Sequence, residues 1–173
     1  MREKLLHEKA SYLRDAVFSA SDGIVTTFAV VAGSAGASLD PSIVVILGFA
    51  NLFADGFSMS AGTYLGVKSE IEYEKAEGDS HTESATPWRQ ALITFISFDI
   101  AGFFPLIPYV FNIENKFALS IFVVGFLLFV VGTLRGRYTK KGVIRSGLET
   151  LFVGGFAAIV AYLSGFVIRN YIV

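Results

Sequence analysis

No cysteine occurs anywhere in the 173 residues, which excludes disulfides, a thiolate metal site and a cysteine nucleophile. Charge is scarce as well: Asp, Glu, Lys and Arg make up 17% of the chain, where a soluble domain carries about a quarter. The net charge of −1 leaves no basic surface for nucleic acid. There is no phosphate-binding glycine loop, metallohydrolase motif or nucleophile–base arrangement, so the sequence does not read as an enzyme and calls for no cofactor. The N-terminal stretch MREKLLHEKASYLRDAVF is charged and amphipathic, without an apolar run leading to a small-residue cleavage site. It is read as mature chain rather than a cleaved signal peptide.

What the chain has in abundance is apolar residues, 53% of the total, with Phe alone accounting for 17 positions. A helix needs about 20 mostly apolar residues to cross the hydrocarbon core of a bilayer. Five stretches qualify: approximately 16–38, 41–67, 90–111, 117–134 and 147–168. Asp22 and Asp55 are the only charges in the first two, the third holds Asp99 with Pro105 and Pro108, the fourth has none, and Glu149 lies near the start of the fifth. A soluble helical bundle would need polar faces that the last two stretches lack. The prediction is therefore an all-α integral membrane protein of five transmembrane helices, a single transporter domain over 1–173. Short links at 39–40 and 112–116, a polar loop at 68–89 and a basic loop at 135–146 make successive helices antiparallel neighbours.

Twelve Lys and Arg residues fall on the side of the N-terminus, the 68–89 loop and the 135–146 loop, and only Lys116 and Arg169 on the other. The positive-inside rule then places the N-terminus in the cytoplasm and the C-terminus outside or in a lumen.

An ionisable side chain inside a span costs roughly 2.5–3.5 kcal/mol on insertion scales, so such residues tend to face a bundle interior and to be functional. In the first span Asp15, Ser19, Asp22, Thr26 and Gly33 repeat at helical spacing and form one stripe. In the second, Asn51, Asp55 and Met59 step by four, and Gly62 with Gly66 forms a small-xxx-small pair suited to close packing. Carboxylates alone suit Mg²⁺ or Ca²⁺, whereas a thioether among them shifts the preference towards softer ions such as Fe²⁺ or Mn²⁺. Metal binding to carboxylates displaces protons, so such a site has the chemistry of a metal–proton exchanger.

Each residue has a plainer reading. Asp15 is also placed to begin a helix near the interface, Asp55 to serve as interhelical glue with Asn51, and Met59 to fill space. Asp99 reads as a proton-carrying or structural group. Glu149 suits a helix N-terminus, and His7 and His81 read as solvated. Glu70, Glu74 and Glu77 share one face if the second helix continues beyond the membrane, attracting cations or simply facing solvent.

The segments DGIVTTFAVVAGSAGAS and GFANLFADGFSMSAGTYLGVKSE resemble the vacuolar iron transporter family, in its short nodulin-like form. The resemblance rests on Asp22-Gly23, Phe28-Ala29, Ala32-Gly33, Ala54-Asp55, Ser58-Met59, Tyr64-Leu65 and Lys68-Ser69-Glu70. It implies a homodimeric bundle that exports Fe²⁺ or Mn²⁺ from the cytoplasm against protons, in a cell membrane or a vacuole-like one. By position, Asp22 and Met59 match the family's intramembrane metal-pathway residues, and Asp15 matches an acidic position earlier on the same helix. Asn51 stands where some relatives have a carboxylate, with Asp55 supplying charge one turn on. Thr63 replaces an acid found in many relatives. The long Glu-rich insertion between spans two and three is absent, leaving Glu70, Glu74 and Glu77 as a reduced metal-collecting face. A passive cation channel and a structural or regulatory membrane subunit are the alternative readings.

Overall fold

The four prolines punctuate the fold. Pro41 and Pro87 open helices, where a missing N–H costs nothing because the first-turn donors are unpaired anyway. Pro105 and Pro108 interrupt one. The computed structural model describes residues 2–78, 86–140 and 142–172, with side chains from Glu8 onward. Its helices are α1 (Arg2–Gly36), α2 (Pro41–Ala76), α3 (Pro87–Phe103), the single turn α4 (Ile107–Val110), α5 (Lys116–Tyr138) and α6 (Val143–Tyr171). α3 and α4 form one bent rod, so five rods are long and apolar enough to cross a membrane, as the sequence predicts.

Two rods outrun the bilayer. α2 has 36 residues, about 54 Å at 1.5 Å per residue, against a hydrocarbon core of about 30 Å. The segment expected as polar loop from residue 68 is therefore helical as far as Ala76. No glycine or proline intervenes before Gly78, and the Lys68–Glu72 ion pair at 3.8 Å spans one turn of it.

The bend in the third rod follows from backbone chemistry. Pro105 cannot donate to Ala101, nor Pro108 to Phe104. Instead Phe104 N–H donates to the Ala101 carbonyl and Ile107 N–H to that of Phe104, tightening Phe104–Leu106 into a 3₁₀ turn. From α5, the buried Ser120 hydroxyl donates to the Pro105 carbonyl at 2.8 Å.

The link between α1 and α2 is equally determined. Ser38 takes the left-handed conformation, φ 49°, and Leu39 N–H reaches back to the Ser34 carbonyl at 2.9 Å to close α1. Asp40 caps α2, accepting from Ser42 N–H at 2.8 Å and from the Ser42 hydroxyl at 2.6 Å. These bonds hold the Asp40 carboxyl below its ordinary value.

α1 is the hub of the bundle, packing most extensively on α3 and α6, while α2 lies on α3 and α5 on α6. Glycines permit the tightest contacts. A Cβ on Gly23 would strike the backbone carbonyl of Phe98, and one on Gly165 the carbonyl of Gly33. Gly62 and Gly66 do not behave as expected, because no described atom lies within 4 Å of where their Cβ would stand. Their face of α2 is exposed, so the small-residue pair packs against nothing among the described residues.

The buried residues divide by height. Ile24, Phe28, Val31, Val44, Leu106, Tyr109, Val124 and Leu128 form an apolar core in the half distal to the N-terminus. Nearer the N-terminus the buried side chains of α1 and α3 include four polar ones, Asp15, Ser19, Gln90 and Thr94, beside Ala91. Phe53, Phe57, Phe122, Phe126, Phe152 and Phe156 point outward, as lipid-facing side chains do. α5 and α6 are also joined at the N-terminal level, where Arg135 meets Glu149 at 2.5 Å and Ser146 at 3.0 Å. Glu149 is thus an ion-pair partner rather than a free helix-terminal acid.

Gly23→Ala should destabilise the purified protein by about 1–3 kcal/mol, the usual cost of overpacking. Gly62→Ala should be neutral or stabilising by up to about 1 kcal/mol through helix propensity. Thermal midpoints in detergent measure both, and equal losses would contradict the α1–α3 contact. Asp40→Ala should lower the midpoint at neutral pH, with Asp40→Asn largely preserving it. Because the Asp40 carboxyl is depressed, its contribution is complete above the ordinary Asp range. It is lost as pH falls through the lowered value, so Asp40→Ala and the parent should converge in strong acid.

Candidate metal pathway

Symmetry about the turn sets the first contact. Asp22 stands fourteen residues before the end of α1 and Asp55 fourteen after the start of α2. Antiparallel helices of equal rise bring the two level, about 21 Å from the turn. They stand near enough for Asp55 to act on Asp22 as a like charge. Neither is fully exposed. The bond between Asn51 and Asp55 that their spacing allows is not made, since Asn51 Nδ2 is buried without a hydrogen-bond partner. Asp55 is therefore not neutralised by local glue.

α3 closes the group. Gly23 follows Asp22 and abuts Phe98, while Gly56 follows Asp55 and abuts the carboxylate of Asp99. Asp99 thus lies at the depth of the Asp22–Asp55 pair. Both of its carboxylate oxygens are buried without a hydrogen-bond partner. An ionised carboxylate in that state costs several kcal/mol unless something neutralises it. The sequence marks Asp99 as the only acid within its span. Its place against α2 depends on which helices pack, information that periodicity along one helix does not contain.

The expected stripe on α1 divides. Asp15 (7% exposed) and Ser19 (0%) are buried, Asp22 and Thr26 are half-buried, and Gly33 turns towards Ala161 of α6. It is Thr27, not Thr26, that is fully enclosed, with Oγ1 unpartnered beside Gly102. Thr26 returns its hydroxyl to the Asp22 carbonyl at 2.9 Å, and Ser19 does the same to Asp15 at 2.5 Å. Such back-bonding satisfies a hydroxyl within its own helix.

Asp15 is a distinct position. Its Oδ1 is held by Arg14 at 3.0 Å while Oδ2 remains buried and unpaired. Seven residues separate it from Asp22, about 10 Å along the helix. Met59 is half-buried one turn beyond Asp55, in the direction of the polar half, and its carbonyl accepts from Thr63 at 3.0 Å. Glu70 and Glu74 lie further along α2, on its extension past the membrane length, with Glu70 exposed and Glu74 half-buried. Among the described residues no three His, Asp or Glu side chains converge on a single point. The described residues therefore present a line of carboxylates, with Asp22 and Asp55 level, rather than a closed coordination shell.

The chain is similar in sequence to several known proteins. The chain is 25% identical to Vacuolar iron transporter 1 of Arabidopsis thaliana over 216 aligned positions, covering 91% of this chain and 86% of the relative. It is 29% identical to Vacuolar iron transporter homolog 4 of the same plant over 160 positions, covering 87% and 80%. Vacuolar iron transporter of Plasmodium berghei is 22% identical over 226 positions, covering 92% and 83%. Alignments of 216 and 226 positions exceed the 173 residues here, so those relatives carry segments that this chain lacks. The VIT family profile matches in two stretches, 13–83 and 78–166, which meet in the link between α2 and α3. Together these stretches run from Leu13 to Phe166, and the chain belongs to the VIT family.

Proposed function

We propose that the protein is a secondary transporter that carries Fe²⁺ or Mn²⁺ out of the cytoplasm in exchange for protons. The carboxylates of Asp22 and Asp55, level with one another on two membrane-length helices and close enough to interact, carry this reading. Two like charges in a medium of low dielectric repel strongly. One dication, or two protons, neutralises them. Since a carboxylate must lose its proton to bind metal, cation and protons exclude one another at the pair. Two protons per metal ion is the stoichiometry that keeps the pair electrically balanced in both loaded states.

The remaining parts fall in order along the path. The lysine and arginine bias puts the N-terminal side in the cytoplasm. There the extension of α2 with Glu70, Glu74 and Glu77 draws dications to the membrane surface. Asp15 is a further polar position before the pair and Asn51 one beyond it, and Met59 adds a thioether that favours the softer first-row ions. The relatives' names point to a vacuole-like membrane, with the cell membrane as the other setting. A homodimer, each copy one domain over residues 1–173, supplies from two subunits the donors that one subunit does not bring to a point.

Proteoliposomes holding a pH-sensitive dye test the reading. Inward Mn²⁺ or Fe²⁺ flux should drive outward proton flux at about two protons per metal ion, the value set by the charge balance above. Metal entry that follows voltage with no proton counterflow identifies a channel instead. Asp22→Asn should reduce metal flux by more than about tenfold, the scale on which even changes beyond the ligands themselves weaken metal sites. Its yield and elution volume should stay those of the parent. Unaltered flux in that variant removes the carboxylate pair from the mechanism.

A further inference from the structure

We infer that Asp99 is a second cation station, separate from the Asp22–Asp55 pair, at which the transported dication is held against the α2–α3 contact. The inference deepens the metal-transport reading and rests on it. Both carboxylate oxygens of Asp99 are buried and make no hydrogen bond. They occupy the notch left by Gly56, where even a single methyl group would meet them. A desolvated carboxylate needs a positive partner, either a cation or a proton.

No fixed one is within reach among the described residues. The nearest basic residue on α3 is Arg89, ten positions away, or about 15 Å. On α2 it is Lys68, twelve positions from Gly56, about 18 Å along the helix. On α1 it is Arg14, nine positions before Gly23, about 14 Å along the axis, and engaged by Asp15. The charged groups nearest in height, Asp22 on α1 and Asp55 on α2, are themselves negative. The counter-charge must therefore be mobile.

A second unpartnered oxygen lies one turn further on. Thr27 is fully buried, and its Oγ1 sits beside Gly102 together with the carbonyl of Gly23. Hydroxyl, carbonyl and carboxylate oxygens are the donors that a dication takes when it leaves water. They mark a route from the pair along α3 towards the distal half. Because no three acidic side chains converge, Asp99 is a successive stop for the ion rather than a third ligand at the same point.

Mn²⁺ binding to the purified full-length protein, followed by electron paramagnetic resonance, tests this. The Asp22→Asn/Asp55→Asn double variant should retain a Mn²⁺ site that the further change Asp99→Asn removes. In proteoliposomes Asp99→Asn should slow Mn²⁺ uptake more than about tenfold, and Asp99→Glu should recover part of it. Without metal, Asp99→Asn should melt no lower than the parent, because it relieves an uncompensated charge, but it should lose part of the stabilisation Mn²⁺ confers. Unchanged Mn²⁺ capacity and flux in Asp99→Asn would overturn the inference while leaving the pair's role intact. A lower metal-free midpoint with binding retained would do the same, by making Asp99 a structural group. Failure of the parent to bind or move any Mn²⁺ would instead bring down the transport reading together with this one.

Discussion

α1 can lie on α3 backbone to backbone only because residue 23 has no side chain, and the rest of the bundle is arranged around that contact. α1 is the helix that touches every other rod, and Gly23 is where it meets α3, the helix on which it packs most extensively. The polar chemistry gathers at the same height. Asp22 precedes Gly23, Asp55 precedes Gly56, and Asp99 follows the Phe98 that Gly23 abuts. Each Asp-Gly pair divides the labour between neighbours, the glycine packing against another helix and the aspartate standing at the edge of the junction. Adjacent positions on a helix point about 100° apart, which is why one residue can be locked into an interface while the next remains available to an ion.

The division of the interior into a polar half and an apolar half gives that junction its meaning. Asp15, Ser19, Gln90 and Thr94 line the α1 and α3 interior on the N-terminal side, whereas Ile24, Phe28, Val31, Leu106 and Leu128 fill the other side. The carboxylates stand at the boundary.

The five rods were legible because spanning a bilayer demands apolar length, and length is a one-dimensional property. The level pairing of Asp22 with Asp55 was within reach too, since a short turn forces antiparallel register. Where α2 ends was not, because charged residues such as Lys68 to Glu77 read equally as loop or as helix surface. The packing of α1 on α3, which are not consecutive, has no signature along either helix. Thr27 and the place of Asp99 against α2 therefore emerged only with the three-dimensional arrangement, and of the stripe drawn through Thr26 and Gly33 the glycine turned towards α6. Gly62 and Gly66 show the converse, small residues at a packing spacing with no partner among the described residues.

The 3₁₀ turn at Phe104–Leu106 bears on how such a molecule changes shape. Every other rod is an uninterrupted ladder that resists flexing along its whole length. The third has already surrendered its four-residue spacing just past Asp99, where two prolines make the loss permanent. The outer tip, Ile107–Val110, is joined to the turn by the bond from Ile107 N–H to the Phe104 carbonyl, and the Ser120 hydroxyl ties the turn itself to α5 through the Pro105 carbonyl. The third rod is the one built with a joint, and the joint sits at the floor of the apolar plug, with Leu106 as part of the seal.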